Sequence, residues 1–393
     1  MTGTTSLTDR AKNLRRLAQM MNTRHRFPYP ITKELLDCFD VALSSEEIDF
    51  LLRIGTEPLT RPELLARSGL QEDLAEPLFR QLLKKGPLSS RTTAGKGEVY
   101  ELTGIMVGWF ETYLSDGQES PEKKEFAIRL DRLFRSFGKM NSFPMRTLVN
   151  YRMKHVKPAQ SIVSPQVSEP PGGRTIPVHH DIEAAPMKVY PAKTVLQLIE
   201  QHGDANSIAV VHCFCRQYHK LIGEPCRFRH PPESCIVIGP LAHRAATYAS
   251  AKYISKQEAR ALIQELEKKG AVHQVFHEKE DADQPEVAIC NCCWDCCGVF
   301  GSYNRGILPL RLRSYFEARL ADASLCSGCE MCVEHCPVQA ISMMSGKAAI
   351  NALKCIGCGQ CELQCPVECV QLVANERDVL LPLEKRSKAR MMC

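Results

Sequence analysis

The sequence predicts an α+β protein of several modules, and three observations carry that prediction. The chain has 393 residues, enough for two or three domains of ordinary size. Its first 140 residues are patterned as amphipathic helices, whereas residues 192–320 mix helical stretches with short apolar runs. Its 20 cysteines are unevenly placed, with Cys38 alone preceding residue 213. The composition is that of a globular chain, 44% hydrophobic and 24% charged. The longest apolar run falls well short of the ~18 residues of a spanning helix, so no membrane insertion is expected. The formal charge is only 50 − 45 = +5, which does not mark a dedicated nucleic-acid binder.

Residues 1–155 read as a helical module. Ser44 and Ser45 precede Glu46, Glu47 and an apolar run (Ile48, Phe50, Leu51, Leu52, Ile54), the pattern of a capped helix. Thr60 caps residues 61–68, with Pro62 in the first turn. Residues 72–85 follow, with Leu74, Leu78, Leu82 and Leu83 at helical spacing, and Gly86-Pro87 stops them. Leu88–Arg91 and Glu98–Leu102 flank the loop Thr92–Lys96 as a hairpin would. This helix–helix–helix–hairpin order resembles winged-helix domains. Residues 105–114 and 121–137 add two amphipathic helices.

Residues 156–191 hold seven prolines and the pair Gly172-Gly173, which predicts an extended connector and the clearest domain boundary. A mixed α/β cysteine-rich domain is expected over 192–320. It has helices at 193–201 and 256–269, the second ended by Gly270, and an apolar run Ile208–Val211 leading into the first cysteines. Residues 321–376 form the last module. The segment 377–393 is basic (Arg377, Lys385, Arg386, Lys388, Arg390) and reads as a surface tail.

Disulfides need an oxidising compartment. Arg15-Arg16 is followed by no apolar segment, so no export signal is expected and the chain reads as cytoplasmic. Reduced, clustered cysteines in such a chain read as metal ligands. Residues 326–337 are C-S-G-C-E-M-C-V-E-H-C-P and residues 355–366 are C-I-G-C-G-Q-C-E-L-Q-C-P. Both are C-x2-C-x2-C-x3-C-P, offset by 29 residues. Three cysteines spaced by two residues can wrap one face of a cubane, while the fourth, before proline, points elsewhere.

The repeat resembles the bacterial two-cluster ferredoxin module, a pseudo-two-fold βαβ fold, over about 55 residues. The resemblance implies two [4Fe–4S] clusters: one held by Cys326, Cys329, Cys332 and Cys365, the other by Cys355, Cys358, Cys361 and Cys336. Gly328, Gly357 and Gly359 are expected to let the backbone come close. Cys369 reads as a buried small residue where the first copy has Ala340, and Cys38 and Cys393 as free thiols.

Nine cysteines remain in the central block. Cys213, Cys215, Cys226 and Cys235 form C-x-C-x10-C-x8-C, and Cys290, Cys292, Cys293, Cys296 and Cys297 form C-x-C-C-x2-C-C. Nine in one domain exceed what core packing explains, so one or two further clusters are expected, iron–sulfur being favoured over zinc because the neighbouring module handles clusters. One partition takes four ligands from each group, and a mixed one draws from both. Adjacent cysteines rarely serve one iron, so one or two of the last five are expected not to be ligands. With its CFCR, GEPC and ICNCC segments, the block from Lys193 to Phe300 looks like poorly characterised iron–sulfur proteins of anaerobic bacteria. Cys296-Cys297-Gly298 echoes the CCG signature of heterodisulfide-reductase subunits, without the rest of that pattern. His212, His219, His230, His243 and His273 read as structural or surface residues. Arg216, Arg227 and Arg229 are candidates to offset cluster charge.

No G-x-x-x-x-G-K-[ST], G-x-G-x-x-G after a strand, radical-SAM C-x3-C-x2-C or haem C-x2-C-H pattern occurs. No catalytic residue is assigned. The function expected is one-electron transfer to or from a redox partner, an oxidoreductase such as a flavoprotein or a ferredoxin. The alternatives are a reductase subunit with a substrate-binding central cluster and a redox-responsive winged-helix regulator. Glu72, Asp73 and Glu76 at the start of the would-be recognition helix argue against DNA.

Overall fold

The computed structural model describes residues 7–25, 28–93, 95–138, 142, 144–163, 195–201, 206–277, 282 and 285–384. The N-terminal part is helical: α1 (Leu7–Asn22), α2 (Lys33–Ala42), α3 (Ser45–Ile54), α4 (Arg61–Ser68) and α5 (Glu72–Lys85) precede a hairpin of β1 (Leu88–Thr93) and β2 (Gly97–Leu102). A π-helical turn (Ile105–Trp109) leads into α6 (Phe110–Leu114), followed by α7 (Pro121–Gly138) and α8 (Met145–Lys154). The expected capping box is present at α3, where the Ser44 N–H donates to the Glu47 carboxylate at 2.8 Å and the Glu47 N–H donates to Ser44 Oγ at 3.2 Å. Glu47 is buried and paired with Lys85 at 3.0 Å, which ties α3 to the end of α5. That helix stops at Gly86, whose φ of +96° and contact with Thr112 admit no Cβ. The buried face of α5 is Ala75, Phe79, Leu82 and Leu83. Leu74, expected inside, is 58% exposed, because Phe79 occupies the core against Tyr100 at a ring separation of 4.8 Å.

The rest of the chain is built on one sheet. Its strands are β3 (Gln160–Val163), β4 (Ile208–His212), β5 (Glu233–Ile238), β6 (Lys252–Tyr253), β7 (Val272–His277), β8 (Glu286–Cys292), β9 (Leu310–Leu320) and β12 (Val370–Leu381). A separate hairpin, β10 (Ile341–Met344) with β11 (Lys347–Ile350), lies between the last two. The sheet order is β12-β9-β3-β7-β8-β5-β4-β6, antiparallel throughout except for β3 beside β9. The helices of this half are α9 (Val195–Gln201), α10 (Phe214–Leu221), α11 (Pro240–Tyr248), α12 (Lys256–Lys268), α13 (Phe300–Asn304), α14 (Met331–Glu334) and α15 (Gln360–Leu363).

Two segments read from sequence as linker or tail are strands. Gln160–Val163, inside the 156–191 connector, is a fully buried internal strand, because Ile162 and Val163 fill the core. The remainder of that connector, from residue 164, lies outside the described residues. Arg377–Leu381, expected in a basic tail, pairs with Leu310–Ser314, and Arg311 and Arg313 there meet Asp378 at 3.5 and 3.1 Å. Residues 385–393, Cys393 among them, lie outside the described residues. The cysteine repeat is therefore threaded between two paired strands of the central sheet, and a single hydrophobic core runs from Val275 and Ile289 to Cys326 and Cys361.

The helical half docks through α10 and α11. Tyr218 and Leu221 enter the N-terminal core, and Tyr218 Oη donates to Asp131 at 2.8 Å. Arg244 donates to the Ser90 carbonyl at 3.0 Å and Tyr248 Oη to Glu98 at 3.0 Å, so α11 rests on the β1–β2 hairpin. No helix among the described residues is long and apolar enough to cross a membrane.

Candidate metal centres

The repeated motif folds into two loops that each present two thiols before a one-turn helix, α14 or α15, and the third thiol, Cys332 or Cys361, from within it. The backbone repeats with the sequence: Gly328 and Gly357 have positive φ, as do Glu330 and Gly359, and Gln339 and Glu368, each pair 29 residues apart. Two of these glycines, Gly328 and Gly357, lie close against other backbone of the protein. A Cβ on Gly328 would strike the Gly346 carbonyl in the β10–β11 turn, and one on Gly357 would overlap the Phe316 carbonyl of β9.

Two cavities result. One is lined by Cys326, Cys329, Cys332 and Cys365, with Met343, Ala348, Val367 and Cys369. The other is lined by Cys355, Cys358, Cys361 and Cys336, with Val338, Ala340, Ile341 and Gln360. Each cavity takes three thiols from one copy of the motif and one from the other. Backbone N–H groups point at the sulfurs: Ala348 to Cys326 at 3.5 Å, Ala318 to Cys355 at 3.3 Å, Gly357 to Cys355 at 3.4 Å and Ala340 to Cys336 at 3.1 Å. Those from Ala348 and Gly328 hold the Cys326 thiol below its ordinary range, whereas burial pushes Cys336, Cys358 and Cys361 up. Buried thiols of that kind ionise only against a metal, so four sulfurs around an apolar hollow with N–H donors fit a cubane.

Residues 319–366 match the family model of the 4Fe–4S dicluster domain. Comparison with curated proteins and with solved structures returns no match. The dicluster domain thus supports at least one [4Fe–4S] cluster on this chain and makes it an iron–sulfur protein. The two cavities differ in exposure. In the first, Cys329 is exposed, with Leu325 and Val367 at 55% and 37% exposure beside it, whereas Cys355, Cys358 and Cys361 in the second are buried. Cys369 lines the first cavity 3.6 Å from Cys365, where Ala340 lines the second, and its thiol is pushed up to about 12 by burial and by Cys365. Cys38 is buried in the N-terminal core, far from either cavity's lining, and donates to the Glu34 carbonyl at 3.3 Å.

The nine central thiols fall into two sets, and each set draws on both sequence groups, as the mixed partition has it. Six form a closed ring of neighbours: Cys213 meets Cys215 and Cys235, Cys215 meets Cys297, Cys297 meets Cys292, Cys292 meets Cys290, and Cys290 meets Cys235. Sheet geometry explains the closure. Cys290 and Cys292 are two apart on β8 and share a face, and Ile236 pairs with Ile289, so Cys235 falls opposite Cys290. Cys213 holds the N-cap position of α10, just after β4, and Cys215 follows two residues later in its first turn. Cys226 is not in this set. It lies 3.4 Å from Cys293, which is 3.0 Å from Cys296. Both adjacent pairs, Cys292-Cys293 and Cys296-Cys297, are therefore split between the two sets. N–H groups of Gly298 and Val299 reach Cys215 at 3.1 Å and Cys297 at 3.3 Å, and the Gln274 amide donates to Cys297 at 3.5 Å. Contacts with Cys215 and Cys235 hold the Cys213 thiol well below its usual range; burial works against Cys297, but its sulfur and N–H partners bring it down too.

Of the three candidate arginines, Arg227 and Arg229 are exposed and Arg216 is buried at 5% exposure. Its guanidinium donates to Ser234 Oγ, to His230 Nδ1 at 2.9 Å and to the Asn291 carbonyl at 2.5 Å. No ion pair joins it to a carboxylate among the described residues. Burial disfavours its charge, and Cys213, Cys293, Cys235 and Cys296 outweigh that, so it faces both thiol sets and stays charged. His230 and His273 are structural: His230 bridges Arg216 to the Lys269 carbonyl at 3.0 Å, and His273 bonds Asn291 at 2.6 Å.

Three residues outside the cysteine pattern complete the arrangement. Asn304 donates to the carbonyls of Trp294 at 3.4 Å and Pro337 at 3.0 Å, joining the Cys293–Cys296 loop to the residue after Cys336. Gln360, beside Cys361, donates to the Ala271 carbonyl at 2.7 Å, next to Val272, which pairs with Cys292. Asp295 stands among the three thiols of the smaller set. Asn304 and Gln360 carry no sequence signal; Asp295 carried one, as an acid inside C-x2-C.

Proposed function

We propose that this chain relays single electrons between a partner protein and a buried thiol centre of its own, through the dicluster domain. The observation that carries the reading is the exchange of ligands between the two motif copies, three thiols from one and one from the other in each cavity. Bound [4Fe–4S] clusters supply one-electron oxidation and reduction at such sites. The residues supply position and environment. Cys326, Cys329, Cys332 and Cys365 would hold the outer cluster, and Cys355, Cys358, Cys361 and Cys336 the inner one. Cys329 is the exposed thiol, and Leu325 and Val367 beside it give a partner apolar surface. Residues 321–376 carry six acids against two bases, which suits an oxidoreductase or ferredoxin with a cationic docking face.

Two polar bridges tie the inner-cavity side to the central block: Gln360, beside Cys361, donates to Ala271, and Asn304 links Pro337 to Trp294 in the Cys293–Cys296 loop. We assign the ring of Cys213, Cys215, Cys235, Cys290, Cys292 and Cys297 to a further iron–sulfur centre, with Arg216 as the cation that offsets its charge. The helices and hairpin before residue 103 follow winged-helix order, and a protein-docking role fits them better than DNA binding. Arg91 on the hairpin is paired with Glu101 at 2.9 Å, and α11 lies on the same hairpin. The test is redox potentiometry followed by EPR on wild type, Cys329→Ser and Cys358→Ser. Each variant is expected to lose one of two interacting signals, and loss of neither would overturn the assignment.

A further inference from the structure

The three-thiol set is built unlike the other sulfur sites of this chain. Cys226 lies in the loop between α10 and β5, and Cys293 and Cys296 follow β8. With a carboxylate oxygen of Asp295, their donor atoms all lie within 4.8 Å of one another. No three thiols of the dicluster domain or of the ring come that close together among the described residues. Size separates the two kinds of site. Tetrahedral zinc with Zn–S bonds of about 2.3 Å sets its sulfurs about 3.8 Å apart. A cubane interposes an iron atom before every thiolate and holds its four sulfurs much farther apart. Four donors mutually within 4.8 Å, with sulfur separations of 3.4 and 3.0 Å, are too close together for a cubane and are in the range of a shell around one ion.

The chemistry of the donors agrees. Cys293 and Cys296 have the C-x2-C spacing of a zinc knuckle. Asp295 is already oriented: Oδ2 accepts the Arg227 N–H at 2.8 Å, and Oδ1 lies 4.0 Å from Cys226 Sγ. Arg216, buried without a carboxylate partner among the described residues, faces Cys293 and Cys296 as well as the ring. Three thiolates, one carboxylate and a divalent ion carry a net charge of 2−, which gives that guanidinium an anion on this side also.

We propose that Cys226, Cys293, Cys296 and Asp295 bind one structural zinc ion. Four protein donors close the coordination shell, and binding releases the three thiol protons. The ion staples the loop 223–232, which has no helix or strand, to the segment that carries Cys297 of the ring. Phe228 against Trp294, 5.8 Å between ring centroids, is the apolar half of the same clasp. This revises the expectation of iron–sulfur ligation for these three cysteines, and it stands apart from the electron-relay reading.

The experiment is metal quantitation and zinc K-edge absorption spectroscopy on the full chain, purified without oxygen from medium holding both iron and zinc. One zinc per chain is expected, with about three sulfurs at 2.3 Å and one oxygen at 2.0 Å. Cys226→Ser is expected to lower zinc content at least tenfold and leave iron content and the dicluster EPR signals unchanged. Asp295→Asn, which keeps the shape of the site, is expected to lose zinc to a chelator at least tenfold faster. Zinc below about one-fifth per chain in the wild type, a shell of four sulfurs, or iron loss from Cys226→Ser with zinc retained would each overturn the proposal.

Discussion

Arg216 donates to the main-chain carbonyl of Asn291 at 2.5 Å, on the strand that also carries Cys290 and Cys292. This bond, with those to Ser234 and His230, fixes a buried cation between two groups of thiols. Removing a buried charge partner costs more than its pairing is worth, because the opposite charge is left without compensation. Arg216→Gln is expected to destabilise the loaded protein by about 3–5 kcal/mol and to move the central centre to a more negative potential. Arg216→Lys should be nearly as damaging, because an ammonium cannot reproduce the fork to three acceptors. Denaturant melts and potentiometry read both effects.

Asn304 spans two carbonyls, one in the Cys293–Cys296 loop and one just after Cys336. Asn304→Ala leaves those of Trp294 and Pro337 without their donor and is expected to cost about 1–3 kcal/mol. It should also slow exchange of electrons between the inner dicluster site and the ring, with iron content unchanged. Rapid-freeze EPR after mixing with a one-electron reductant measures that rate.

His273 is fully buried, and burial lowers its pKa from 6.5 to about 4. The fold holds the imidazole neutral while the unfolded chain protonates it below pH 6.5. Its contribution is therefore complete above pH 6.5 and is lost as pH falls towards 4. Between pH 6.5 and 5.5 the wild type should lose about 1 kcal/mol that His273→Gln does not. Parallel denaturant melts of the two proteins at both values check the difference.

The hairpin that would serve as a DNA-binding wing is held by Arg244 and Tyr248 of the same chain. Gel shifts at low salt are expected to find no binding that depends on the oxidation state of the clusters. Salt-sensitive, redox-dependent binding would favour the regulator over the relay.

The three thiols that each motif copy brings to a cavity were legible in the sequence because they sit within seven consecutive residues, where chain geometry alone sets the sulfur positions. The capping boxes at Ser44 and Thr60 were legible for the same reason. The ring was legible only as a surplus of cysteines. Its membership depends on Cys235 falling opposite Cys290 across a ladder whose register no local pattern encodes. The strand Gln160–Val163 was hidden by its brevity inside a proline-rich stretch, since four residues carry too little periodicity to stand out. Leu74 shares the helical spacing of the apolar face but is exposed, and Phe79, five residues on, fills the core against Tyr100.

Iron and sulfide quantitation with stepwise EPR reduction of the intact chain tests most directly the proposed electron relay from the dicluster domain to a further iron–sulfur centre. Three four-iron centres predict about twelve irons and twelve sulfides, with three successive one-electron steps. Eight irons, two steps and zinc filling the ring would contradict it.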